Sequence, residues 1–256
     1  MKMRKVINFL EEKFPLSLQE EWDNSGLQIG NLDNEVKNVM VSLDLDSYVI
    51  KKAIENDCNL IINHHPLIFS SINSINLEDD YYKNIEKLIK EDITVFAMHT
   101  NLDKARGGLN DNFAKVLGLS DVKDLGESED IAMARYGNIK KRKAKDFAKI
   151  VKDRLNAKGL ILYGDENKKI SKVALCGGAG SDFIADAIKN KCDLIVTSDV
   201  KYHEALDNYK DIVILDPGHF ASENHVIYAL KDILEENFDE KIFTYSPNEE
   251  FRDFVV

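Results

Sequence analysis

The 256-residue chain has no low-complexity tract, no excess of basic residues, and no apolar run near the ~18 residues that a membrane span needs. The last absence excludes a transmembrane helix. The missing basic excess weighs against a general nucleic-acid binder, since phosphate contacts need surplus Lys and Arg and the formal net charge here is −11. It does not exclude a small phosphorylated substrate held through metal ions. Cysteine is scarce: Cys58, Cys176 and Cys192 have no CxxC spacing, and each adjoins an apolar run. That predicts reduced core thiols rather than a disulfide frame. The N-terminus begins basic and turns apolar, but Glu11 and Glu12 interrupt it too early for a signal peptide. A cytoplasmic globular protein is the expectation. HExxH, GxxxxGK and GxGxxG are also absent. The only tryptophan, Trp22, lies in a turn-rich loop, where burial statistics predict a core or interface anchor.

What is present is a regular alternation. From residue 38, NVMVSL, NLIIN and ITVFAMHT read as strands, and SYVIKKAIEN and YYKNIEKLIK as the helices between them. LNDNFAKVLGL follows as a helix with Gly118 near its end. The stretch 120–130 is polar and acidic, a natural boundary. KVALCGG, SDFIADAIKN, CDLIVT, KYHEALDNY and DIVILDPG then repeat the theme. Laid over each other without a gap, Val39–Asn63 and Val173–Thr197 match at nine of twenty-five positions: Val39, Ser47, Ile50, Ala53, Ile54, Asn56, Cys58, Leu60 and Ile61. Apolar positions converge easily; a serine, an asparagine and a cysteine at one constant offset do so less. The reading is an α/β protein of two similar, duplicated units, with mostly parallel sheets and helices on their faces. The first unit is placed at 1–125 and the second at 126–256, with a C-terminal segment able to pack back on the first.

Two adjacent histidines, His64 and His65, end the apolar run Leu60–Ile62 just before Pro66. Ligands of open α/β sheets bind beyond the carboxyl ends of strands, so metal ligation competes here with a pair of satisfied structural histidines. Asp103 follows the next strand. In the second copy, His219 and Glu223 are four apart at a helix start, on one face. Together the five donors exceed the roughly three protein ligands of one catalytic zinc. They suit two divalent metal ions, and a mixed imidazole and carboxylate set fits Fe, Zn or Mn. Adjacent strand residues point oppositely, which predicts one of the vicinal histidines per ion. Asp199 and His203 are candidates for proton transfer or substrate orientation, His99 for orienting a ligand, and Lys104 and Arg106 for phosphate contact or plain turn charges. The glycine-rich GGAGS at 177–181 reads as a tight strand-to-helix turn rather than an anion cradle.

INHHPLIF, AMHTNLDKARGGLND and GHFASENH, with EWDNSGLQIG before them and TSDVKYHEA between, resemble the Nif-three-like family of dinuclear-metal proteins, also labelled GTP cyclohydrolase 1 type 2 homologs. The resemblance spans nearly the whole chain. It implies that His64, His65, Asp103, His219 and Glu223 bind two metal ions, and that the protein assembles as a toroidal homohexamer. The function then expected is a metal-dependent hydrolase of a nucleotide-like or phosphorylated small molecule. The alternative is a metal-handling or regulatory binding protein without turnover.

Overall fold

The computed structural model describes residues 1–126 and 132–246. In chain order these form α1 (Met3–Lys13), β1 (Gly26–Ile29), β2 (Asn38–Ser42), α2 (Ser47–Glu55), β3 (Cys58–Asn63), α3 (Asp80–Lys90), β4 (Thr94–Ala97) and α4 (Thr100–Lys104). They continue with α5 (Leu109–Leu117), β5 (Ser120–Asp124), β6 (Arg135–Lys143), α6 (Ala144–Arg154), β7 (Ile161–Tyr163), β8 (Lys169–Ala179), α7 (Ile184–Lys189) and β9 (Leu194–Ser198). The last elements are α8 (Tyr202–Asn208), β10 (Val213–Asp216), α9 (His219–Glu223), α10 (His225–Glu235) and β11 (Ile242–Tyr245). Two compact units divide the chain. One comprises Met1–Ala105 with residues 227–246, the other Arg106–Val226.

The first unit is built on a sheet in the order β1-β4-β3-β2-β11. The pairs β4/β3, β3/β2 and β2/β11 are parallel, and β1 closes the edge antiparallel to β4. β2 and β3 are almost wholly buried runs, as strands covered on both faces should be. α2 starts where the Asp46 carboxylate accepts the Val49 N–H at 2.8 Å, a helix cap. Its Val49, Ile50 and Ala53 pack with Met40, Ile61 and Val95 of the sheet. The loop 70–79 lies between β3 and α3, as expected.

The second unit has a sheet in the order β5-β6-β8-β9-β10-β7. Its centre, β8-β9-β10, is parallel; β5, β6 and β7 join the flanks antiparallel. Period-two alternation sorts the core into two layers. Val173, Leu175, Leu194, Val196, Val213 and Leu215 face α5 and α6, where Phe113, Phe147 and Val151 pack on them. Ala174, Cys176, Ile195 and Ile214 face the opposite way, toward Ile184 and Ala187 of α7 and Ala205 of α8. Gly118 ends α5 at φ 71°, the left-handed conformation a helix terminus favours. Ser120–Asp124, read above as boundary, forms the exposed edge strand β5; its charged side chains suit an edge that must not recruit another strand. Residues 127–130 of that acidic stretch lie outside the described residues.

Two details differ from expectation. Trp22 is 60% exposed, so it is not a core residue; the turn at Glu20–Asp23 carries it outward. The segment after β4, where the sequence allows Lys104 as a plain turn charge, begins as helix α4, and Asp103 is therefore held on a rigid element. The three cysteines are buried, reduced thiols. Burial raises the Cys58 thiol to about 12 and the Cys192 thiol to about 11, from an ordinary 9.0. A raised thiol stays protonated at pH 8, and the thiolate is the reactive form. Iodoacetamide at pH 8 is therefore expected to leave Cys58 and Cys192 unmodified in the folded protein and to alkylate both in urea. Mass spectrometry of the two samples checks this.

Candidate metal centre

In the first unit the polar cluster begins where β3 stops. The His64 N–H donates to the carbonyls of Ser42 and Leu43, each at 3.1 Å, and the His65 N–H to Leu43 at 3.0 Å. The ladder thus carries both histidines one step past the strand end. His64 is wholly buried, and its Nδ1 donates to the Met98 carbonyl at 2.7 Å. That leaves Nε2 as the lone-pair nitrogen, 3.5 Å from Asp103 Oδ1. His65 Nδ1 meets Asp44 Oδ1 at 2.7 Å, and His99 Nδ1 meets Asp23 Oδ1 at 2.8 Å. The three ring centroids lie 5.0, 5.2 and 5.6 Å apart. One nitrogen from each of His64, His65 and His99 falls within 4.8 Å of the others, close enough to share a metal ion.

Asp23 shows how firmly this side is braced. Beside His99, it accepts from the Ser25 hydroxyl at 2.9 Å and the Thr100 N–H at 3.1 Å. Burial alone would raise its pKa, but the hydrogen bonds from His99, Thr100 and Ser25 outweigh it and hold the carboxyl well below the usual range. Thr100 and His99 flank the start of α4, so the same carboxylate fixes the helix that carries Asp103.

In the second unit the donors again follow strand ends. Asp199 comes just after β9, in the left-handed region at φ 55°. Its Oδ2 meets His219 Nδ1 at 2.6 Å, and His219 Nε2 lies 3.0 Å from Glu223 Oε2. Ser222 braces the short helix between them: it donates to the His219 carbonyl at 2.8 Å and accepts the Gly178 N–H at 2.9 Å. GGAGS is not mainly a turn: Gly177–Ala179 are the end of β8, and only Gly180 separates them from the helical turn that starts at Ser181. Gly177 donates to Asn110 Oδ1 at 2.8 Å and Gly180 to Thr197 Oγ1 at 2.9 Å.

Gly178 makes room for the carboxylate. It sits at φ 63°, and a Cβ there would lie 2.3 Å from Glu223 Oε1 and 3.3 Å from His219 Cε1. Gly178→Ala is expected to lower stability by about 1–2 kcal/mol, the cost of a left-handed alanine, and to push Glu223 aside. Urea denaturation should show the first effect, and a drop in metal bound per chain the second.

The chain's other histidines behave differently. His225 Nδ1 accepts from Asn112 at 2.8 Å, Nε2 donates to the Ser222 carbonyl at 2.9 Å, and the ring stacks on Phe113 at 5.1 Å. Burial pushes its pKa down to about 4, against the smaller upward pulls of Ser222 and Glu223. Both nitrogens are committed, so it is a neutral structural histidine. His203 is exposed on α8, edge-on to Tyr202. Lys104 pairs with Glu20 at 2.7 Å and Arg106 with Asp124.

His64 and His65 thus lie together with Asp103 in one unit, and His219 with Glu223 and Asp199 in the other. Reasoning from sequence missed Asp44 as the partner of His65. Its signal was topological: β2 is the parallel neighbour of β3, so the residue two beyond its end falls beside the histidines. His99, expected to orient a ligand, stands among the donors themselves.

The molecule is an α/β protein in which four histidines, His64, His65, His99 and His219, lie just beyond strand ends and are oriented by carboxylates and a carbonyl in the manner of metal ligands. The family model of Duf34/NIF3 (NGG1p interacting factor 3) matches residues 1–249, and the chain belongs to this family. A Clostridium perfringens relative named GTP cyclohydrolase 1 type 2 homolog is 35% identical over 248 residues, covering 94% of each chain. A Streptococcus pneumoniae relative of the same name is 37% identical over 221 residues, covering 84% of this chain and 83% of its own. Among solved structures, a Staphylococcus aureus protein superposes with a TM-score of 0.92 at 28% identity, covering 100% of this chain and 99% of its own. HcgD from Methanocaldococcus jannaschii, in its reduced form, gives 0.82 at 30% identity, covering 95% and 97%.

Proposed function

We propose that the protein binds two divalent metal ions through His64, His65 and Asp103 of the first unit and His219 and Glu223 of the second. We further propose that it hydrolyses a phosphorylated or nucleotide-like small molecule there. One observation carries the reading. His64, His65, His99 and His219 each engage Nδ1 with a carbonyl or carboxylate, which directs Nε2 to a metal. His225, whose nitrogens meet an amide and a carbonyl and no carboxylate, shows what a purely structural histidine looks like in the same chain.

When bound, the ions supply Lewis acidity at a phosphoryl oxygen and acidify water. Imidazole with carboxylate suits Fe, Zn or Mn. Two such ions would bring four positive charges, against which stand the carboxylates of Asp103 and Glu223 and those of Asp23, Asp44 and Asp199 behind the histidines, so affinity for phosphate would come from open coordination positions on the ions rather than from net charge. Asp199 orients His219, and His203, exposed on α8, is assigned proton exchange with solvent. The relatives' name refers to GTP, but no residue described above forms a guanine-reading set. Assembly as a homohexamer belongs to the same proposal, and light scattering on the purified protein tests it. Among the described residues no helix is long and apolar enough to cross a membrane.

The deciding experiment is elemental analysis of protein purified without added metal, followed by a phosphoester and nucleotide panel on its Fe, Zn and Mn forms. About two ions per chain with turnover supports the hydrolase. Two ions that pass readily to an acceptor, with no turnover, favour the metal-handling alternative, for which the family's description as an interacting factor speaks. Absence of bound metal in every form overturns both.

A further inference from the structure

Beside the three-histidine cluster of the first unit stand two large aromatic side chains that the proposed chemistry does not use. Trp22 is 60% exposed and Phe69 51%. Their rings lie 6.0 Å apart, tilted by 49°. Both rings stand nearly perpendicular to the His99 ring, at 6.1 and 6.3 Å. Exposed tryptophan is uncommon, since so much apolar surface gains from burial.

The pair is held in place rather than loosely hung on loops. Asn24 Nδ2 donates to the Ile68 carbonyl at 2.5 Å, the Ile68 N–H donates to Gln28 Oε1 at 3.0 Å, and Gln28 Nε2 donates to the Asn24 carbonyl at 2.7 Å. This closed ring of three hydrogen bonds ties the segment after Trp22 to the residue before Phe69. Trp22 also directly precedes Asp23, which grips His99. The positions of both rings relative to the histidine cluster are therefore set by their immediate chain neighbours. A tilted pair at this spacing does not stack face to face, so its faces remain available to a third ring. A pre-ordered aromatic surface binds without the loss of side-chain freedom that a mobile one incurs.

We infer that Trp22 and Phe69 form the seat for a planar heteroaromatic ring, carried on the phosphorylated molecule whose phosphate goes to the metal centre. The inference rests on that metal-centre reading for the position of the phosphate, and on the aromatic pair alone for the ring.

Trp22 is the only tryptophan, so its emission reports on the seat directly. The test titrates the full-length, metal-loaded protein with GMP, AMP and nicotinamide mononucleotide, and with ribose 5-phosphate as the ringless control. Saturable quenching is expected with at least one nucleotide and none with ribose 5-phosphate. Phe69→Ala and Trp22→Ala, both at exposed positions, should weaken that nucleotide about 5- to 100-fold by calorimetry, as loss of base–aromatic stacking does. Ribose 5-phosphate affinity and metal content should not change. The inference is overturned if no nucleotide quenches, or if the alanine variants bind it as tightly as the parent. A change of oligomeric state in those variants, with nucleotide affinity intact, would make the pair a contact between copies and likewise sink it. Failure of the metal reading would show separately, as protein without metal whose Trp22 emission still responds to nucleotide.

Discussion

Asp103→Ala is expected to weaken metal binding by more than about a hundredfold, since loss of a mere supporting partner already costs 10–100-fold, and to abolish turnover with it. Asp103 is 8% exposed, sits on α4 beside His64 Nε2, and is fixed there by the His99 carbonyl, which accepts the Asp103 N–H at 3.1 Å. On the proposed two-metal reading, alanine removes a negative charge as well as a ligand atom, and two ions of like charge would then repel with less between them. Fold and stability should survive, because the helix keeps its buried Asn101 and Leu102. Competition against a chelating dye measures the affinity, and elemental analysis the stoichiometry. A variant that keeps its full metal complement removes Asp103 from the ligand set.

Arg135→Ala is expected to destabilise the second unit by about 3–5 kcal/mol, the range for breaking a buried ion pair by removing one partner. The side chain is fully buried in β6. Its Nε donates to Asp111 Oδ1 at 2.6 Å, and Nη1 lies 3.2 Å from Asp124 Oδ1 and also donates to the carbonyl of Ala132. Alanine would leave those carboxylates facing a void. Asp111 and Asp124 are each about a quarter exposed and can partly rehydrate, which places the effect toward the lower end. Urea denaturation followed by circular dichroism measures it. Arg135→Lys should recover only part, since an ammonium cannot replace the planar fork. An unchanged midpoint for Arg135→Ala would show the cluster to be ornamental.

Arg135 also illustrates what the sequence could not convey. It sits among ordinary charged residues, and only strand pairing reveals that β6 turns it inward toward α5 and β5. Trp22 is the opposite case: hydrophobicity places it inside, and a local turn puts it outside. The alternation of strands and helices was legible because buried strands and amphipathic helices have different periods, as Val173 and Ala174 show by facing opposite layers. The donors were legible in part. His64 and His65 close an apolar run and His219 follows one after a three-residue turn, an unusual place for imidazole, whereas Asp44 and Asp23 lie in turn-like stretches where aspartate is commonplace. Their role appears only when β2 is laid beside β3 and β1 beside β4.

β11, from near the end of the described chain, pairs with β2, from near its start. A ribosome that has released only the first two hundred residues has therefore released β2 with one edge still open, the kind of edge that recruits stray strands. Translation must deliver residues 242–245 before that sheet is complete, so synthesis leaves the early unit unfinished while the intervening one can already fold. Slow elongation between residues 226 and 242 should accordingly favour aggregation of nascent chains, and supplying a peptide of the β11 sequence in trans should suppress it.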